Sequence, residues 1–131
     1  MLDTNVWLDW LVFDDPSVMS LRQALQSGRW HVLACPSIRE EVAHVLARPR
    51  FRSRLADPPA GLAIFDATVK MMAEPPRCDL KSKDPDDQVF IDLAVAQRVG
   101  RLYSRDKALR ALARRARLQY QIWIGPPPGE D

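Results

Sequence analysis

Cysteine, histidine and glycine are all scarce in this chain, and each shortage removes a class of function. Only two of the 131 residues are cysteine and two are histidine. Cys35 and Cys78 are too few for a disulfide scaffold, and a chain of this size buries roughly two-thirds of the surface its unfolded form exposes without one. Cys35 lies in an apolar run where a free thiol packs well, so buried, reduced cysteines and a cytoplasmic setting are expected. His31 falls in an expected strand and His44 on the solvent side of an expected helix, so neither joins a hydrolytic triad or a zinc set. The five glycines are scattered, which leaves no glycine-rich loop to cradle a phosphate. Long apolar runs are missing as well. Asp3 and Asp9 interrupt the apolar start, and no basic stretch precedes it, so neither a signal peptide nor a membrane span fits.

What the chain does have is charge in blocks. The formal net charge is only +2, yet residues 98 to 117 carry Arg98, Arg101, Arg105, Lys107, Arg110, Arg114, Arg115 and Arg117 against Asp106 alone. A second basic stretch holds Arg48, Arg50, Arg52 and Arg54. Basic patches beside an acidic cluster suit a polyanion cut with the help of a metal ion. A solvated helix face is the plainer explanation of any single arginine.

The order of elements is strand, helix, strand, helices, strand, helix, strand. Leu2 opens the first strand. Only two residues stand before Asp3 where a central strand usually has about five, so the strand is expected to be cut short or the true start to lie upstream. Asp15-Pro16 begins an amphipathic helix through Val18, Leu21 and Leu25 that Gly28 ends. Trp30 to Cys35 is a short buried strand, after which Ser37 and Glu40 form a capping box. At about 100° per residue, Ile38, Val42 and Val45 make the buried stripe of that helix, with Glu41 beside it and Glu40 facing away. Arg48-Pro49-Arg50 ends it, and residues 50 to 60 form a basic loop or short helix. Leu62 to Ala73 reads as a helix with Ile64, Val69 and Met72 inward, followed by a loop or short strand over 77 to 83. Asp84 caps a helix with Pro85 first and Asp87 third, and Gly100 ends it. Arg101 to Ser104 is a strand, 107 to 117 a basic helix capped by Asp106, and Tyr120 to Ile124 a last strand. The alternation argues a three-layer α/β sandwich with a mainly parallel central sheet, as one domain over residues 1 to 125 with a mobile tail over 126 to 131.

Ligand sites in open α/β sheets form beyond the carboxyl ends of the strands. Asp3, Asp106 and the turn from Ser37 to Glu41 all lie there, and Asp87 opens a helix entering the same layer. Four carboxylates in one cleft repel one another unless a cation offsets them. Oxygen-only ligands favour Mg²⁺ or Mn²⁺ over zinc, and such ions serve phosphodiester hydrolysis. Each acid also has a plainer role. Asp84 and Asp106 serve as N-caps and Asp87 as a partner of the helix dipole. Asp3 and Glu41 are the least explained that way. Helical phase does not separate Asp86 from Asp87. Asp92 and Glu40 are expected outside as surface charge, and Met71, Met72 and the tryptophans inside as core.

Taken in order, Leu2-Asp3-Thr4-Asn5-Val6, Ser37 to Glu41-Val42 with Val45-Leu46, Asp84-Pro85-Asp86-Asp87 with Phe90-Ile91 and Leu93-Ala94, and Ser104-Arg105-Asp106 resemble the successive motifs of a PIN domain. With Arg48-Pro49-Arg50-Phe51 after the second motif, the likeness extends to the VapC-like toxins of bacterial toxin-antitoxin pairs. The resemblance implies a metal-dependent ribonuclease on an α/β/α sandwich. It makes Asp3, Glu41, Asp87 and Asp106 the catalytic acids that bind Mg²⁺ or Mn²⁺, with Asn5 and Ser104 as polar helpers and Asp84 as an auxiliary acid. It further implies an RNA substrate, a cognate antitoxin that blocks the site, and a homodimer. Two other readings remain: a PIN-like module that binds RNA or protein without turnover, and a haloacid-dehalogenase-type phosphatase with Asp3 as nucleophile. The phosphatase is disfavoured because that chemistry wants a second aspartate where Asn5 stands.

Overall fold

The structure, a computed structural model, describes residues 1–52 and 58–128. Part of the expected basic loop over 50 to 60 and the end of the expected tail lie outside the described residues.

Asp3 is extended and turns the chain into α1, Thr4–Leu11, by accepting the Val6 amide at 2.9 Å. Val6, Trp7, Leu8, Trp10 and Leu11 are all buried, as expected of a helix that is apolar on nearly every side. A 3₁₀ turn over Pro16–Val18, capped by Asp15, leads into α2, Met19–Gln26. Gly28 follows with φ 78°, the left-handed conformation glycine adopts at least cost after a helix. The next strand, β1, Val32–Ala34, runs into α3, Pro36–Leu46, whose stripe of Ile38, Val42, Val45 and Leu46 is buried as its spacing requires. The short α4, Pro49–Arg52, follows, then α5, Pro58–Thr68, and β2, Val69–Met71. A 3₁₀ turn, Pro85–Asp87, opens α6, Gln88–Gln97. The chain closes with β3, Arg101–Tyr103, α7, Lys107–Arg110, α8, Ala113–Tyr120, and β4, Trp123–Gly125.

The α/β class and the parallel strands agree with expectation, but a single central sheet does not form. β1 pairs with β2 and β3 with β4, giving two parallel two-stranded sheets. Between them the first residues form only a bridge, Leu2 with Tyr103. The Asp3 amide donates to the Tyr103 carbonyl at 3.1 Å, and the Tyr103 amide to the Met1 carbonyl at 2.9 Å. These bonds all face β3, so among the described residues no hydrogen-bonded ladder joins them to β1. One apolar cluster nonetheless includes Val32 and Ala34 from β1, Leu2, and Leu102 and Ile124 from the other sheet. Packing joins the halves where backbone pairing does not.

Several local expectations are corrected. Residues 69 to 71 are strand rather than helix, since Val69 and its neighbours find a parallel partner in β1, with the Met72 amide donating to Ala34 at 2.8 Å. In α5 Phe65 is buried and Ile64 exposed, and Met71 is exposed. Ser37 lies inside α3 rather than at its cap: its amide and hydroxyl both donate to Glu74, and Cys35 holds the cap position without a side-chain bond. Arg98, at φ 51°, ends α6 before Gly100 is reached. The basic helix breaks into α7 and α8, and Tyr120 belongs to the second piece. Asp92 is buried, because α6 packs on several sides at once, with Phe90, Ile91, Leu93 and Ala94 also inside. Trp7 and Trp10 are core residues, stacked at 5.4 Å, whereas Trp30 and Trp123 are partly exposed. Cys35 is buried and Cys78 half-buried, both as free thiols. Among the described residues no helix is long and apolar enough to cross a membrane.

Candidate active site

Asp3, Glu41, Asp87 and Asp106 line one cleft of about 140 Å³, together with Thr4, Asn5, Leu8, Val45, Arg48 and Arg50. Each acid arrives from a different element. Asp3 caps α1, Glu41 stands one turn into α3 beside its buried stripe, Asp87 closes the 3₁₀ turn before α6, and Asp106 caps α7. The convergence is therefore a product of packing.

Asp3 is 4 % exposed. One of its oxygens takes the Val6 amide and the other the Ser104 hydroxyl. The Ser104 oxygen in turn accepts the Asp106 amide at 2.9 Å, so a single buried serine orients two of the four acids. Asp106 is itself an N-cap, accepting from Ala108 at 2.8 Å and Leu109 at 3.1 Å. The capping roles read for Asp84 and Asp106 are thus real, and Asp3 has one too. Asp84 is exposed, accepts the Asp86 amide and stands outside the cleft. Asn5 is exposed at the cleft wall. Asp86 is exposed and Asp87 half-buried, the distinction that helical phase alone left open.

The electrostatics follow from crowding and burial. Burial pushes Asp3 up to about 6, against the Ser104 and Val6 hydrogen bonds that pull it down. Asp87 is pushed up to about 7, first by burial, then by its interaction with the Asp106 carboxyl, and then by the charges of Asp84 and Asp3. Glu41 is raised chiefly by burial. The Thr4 hydroxyl approaches it and opposes that rise, though short of full hydrogen-bond geometry. Oδ2 of Asp87 and Oγ1 of Thr4 are buried without a hydrogen-bond partner, a costly condition that a ligand or water would relieve.

An all-oxygen donor set with repelling carboxylates and an orphaned oxygen fits a hard divalent cation. The spacing as it stands does not bring three such side chains to one point among the described residues.

Three contributors were not singled out for the site from sequence. Thr4 stands between two residues that were, and only its unpartnered burial marks it. Arg48 and Arg50 were read as part of a basic stretch, and both reach the cleft. Arg105, counted among the basic residues, instead joins Asp9 and donates to Ser17 at 2.8 Å, pinning the end of β3 to α1 and to the 3₁₀ turn that follows it.

The family model described as PIN domain matches residues 1–108. No curated protein and no solved structure gives a significant match.

Proposed function

Since the chain belongs to the PIN domain family, whose members are generally nucleases using divalent metals, we propose that it is a metal-dependent endoribonuclease that hydrolyses RNA phosphodiester bonds. The observation that carries this reading is the cleft shared by Asp3, Glu41, Asp87 and Asp106 with Arg48 and Arg50 at its wall. Although the family match ends at residue 108, we take the functional unit to extend to residue 125, because β4 pairs with β3 behind Asp106.

In this reading Asp3, Glu41, Asp87 and Asp106 hold Mg²⁺ or Mn²⁺. Such an ion supplies positive charge that activates water and offsets the charge developing on the phosphate. Ser104 keeps Asp3 and Asp106 in fixed orientation through its paired hydrogen bonds. Arg48 and Arg50 take the phosphate oxygens of the incoming strand, and Asn5, exposed beside them, offers an amide to the same backbone. Asp84 adds negative charge at the entrance.

The finer identity is a VapC-like toxin, homodimeric, whose cleft a cognate antitoxin covers. Its support is the likeness of Arg48-Pro49-Arg50-Phe51 and the order of the acidic motifs. A second reading, an RNA- or protein-binding module without turnover, draws support from two facts: both oxygens of Asp3 already have protein partners, and no three acids meet at one point among the described residues.

Cleavage of a mixed RNA substrate with Mg²⁺, with Mn²⁺ and with EDTA, comparing wild type and Asp3→Asn, separates the two. Asparagine keeps the α1 cap, so metal-dependent cleavage lost in the variant supports the nuclease. RNA bound and left intact under every condition would favour the binding module.

A further inference from the structure

A second recess opens where the two sheets fail to join. It holds about 440 Å³ and is walled by Leu21 and Leu25 of α2, Trp30, Val32 and Leu33 around β1, and Met1, Arg101 and Tyr103 around β3. Arg101 opens β3 and Trp30 lies two residues before β1, whereas Asp106 and the helix that carries Glu41 come after strand ends. The recess and the acidic cleft have no lining residue in common.

Its chemistry is one-sided. Arg29, His31, Gln97, Arg101 and Tyr103 supply the polar lining, and among the described residues no aspartate or glutamate contributes. Trp30 is 38 % exposed and stacks on the buried Tyr103 ring at 6.2 Å with planes 24° apart. Trp123, also 38 % exposed, meets the same tyrosine edge-on at 5.5 Å. The Arg101 guanidinium lies 5.6 Å from the Trp30 ring and 5.8 Å from that of Trp123. No described carboxylate pairs with it. Exposed indole faces leave apolar surface in water, and Arg101, which turns one donor to the Tyr103 hydroxyl at 3.4 Å and has no described carboxylate beside it, keeps its other donors for an incoming anion.

We propose that this recess binds a nucleotide, the base stacking on Trp30 and the phosphate taken by Arg101 and Arg29. A flat π-face next to guanidinium groups that no described carboxylate neutralises matches a base linked to a phosphate, and the volume lies within the range of sites for small molecules. The nucleotide is either free in solution or an unpaired unit of an RNA strand. The inference does not depend on the nuclease reading, since it uses none of the cleft residues.

Titration calorimetry with adenosine monophosphate and with a short single-stranded oligoadenylate, in EDTA so that no metal-dependent cleavage intervenes, tests it. Saturable binding of the mononucleotide identifies a free nucleotide as sufficient, and binding of the oligoadenylate alone identifies an RNA unit. In either case Trp30→Ala and Arg101→Gln should each weaken binding about tenfold, the scale of one lost stacking contact. Glu40→Gln, at an exposed position that lines neither the recess nor the acidic cleft, should leave it intact. Circular dichroism verifies the fold of each variant, and the two substitutions remove different contacts, so misfolding of one leaves the other decisive. Absence of binding by either probe up to about 1 mM, or binding indifferent to both recess substitutions, would overturn the proposal.

Discussion

Asp87 concentrates the stress of the acidic cleft in one side chain: a buried oxygen without a partner, and a carboxyl pushed up by burial and by Asp106, Asp84 and Asp3. Replacement by asparagine keeps its shape and removes its charge. Asp87→Asn should therefore lower metal-dependent RNA cleavage by at least about a hundredfold while the far-ultraviolet spectrum stays native. Glu40→Gln, at an exposed position one residue from Glu41, should change neither; a folded but inactive Glu40 variant would show that the wrong glutamate had been assigned. The raised carboxyls also fix a sign. Asp3 near 6 and Asp87 near 7 hold protons in the folded protein that the unfolded chain releases around 3.8. Their contribution to stability is full below the unfolded value and is lost as pH rises through the folded ones. The buried Met1 amine, lowered to about 5, has the opposite slope, so the informative quantity is a difference. In EDTA, the Tm of Asp87→Asn relative to wild type should climb between about pH 4 and pH 8; a gap constant with pH would contradict the raised carboxyl.

Single elements carry two roles that substitution can divide. Asp106 both faces the cleft and caps α7 through Ala108 and Leu109. Asparagine caps as well as aspartate does, whereas alanine does not. Asp106→Asn and Asp106→Ala should both lose cleavage, but only the alanine variant should also lose about 1 kcal/mol of stability in urea denaturation. At α6 the buried Asp92 anchors the preceding loop by accepting from the Cys78 amide at 3.0 Å and from Gln88 at 2.8 Å, and Gln88 in turn binds Leu80 and Ser82. This network fixes the approach to the turn that carries Asp87. Asp92→Ala leaves these donors unsatisfied and should cost about 1–3 kcal/mol, read as a lower urea midpoint at unchanged slope.

The whole molecule is two small parallel sheets united by apolar packing, with the acidic cleft beyond the strand ends. Trp7 against Phe65, at 4.7 Å, ties α1 to α5. The four acids come from separate elements, so a cation that draws them together binds the folded chain only. Mg²⁺ added to metal-free protein should then raise Tm in proportion to the logarithm of its concentration above Kd. Asp87→Asn should flatten that response, and a wild-type Tm indifferent to Mg²⁺ and Mn²⁺ would favour the module without turnover.

The sequence by itself determined the α/β alternation, the buried stripe of α3, the caps at Asp84 and Asp106, and the acids at strand ends. These depend on local spacing and on side chains that bond their own backbone. It also separated Glu41 from Glu40, because helical phase is a local property. Other features depended on partners distant in the chain. Residues 69 to 71 became strand because β1 lay beside them, Ser37 gave up its cap to Glu74, and Asp92 went inside because α6 packs on more than one face. The deeper burial of Asp87 than Asp86, the reach of Arg48 and Arg50 into the cleft, and the unjoined sheets with the recess between them were decided by tertiary structure alone. Each depends on which surfaces meet, and no periodicity along the chain encodes that.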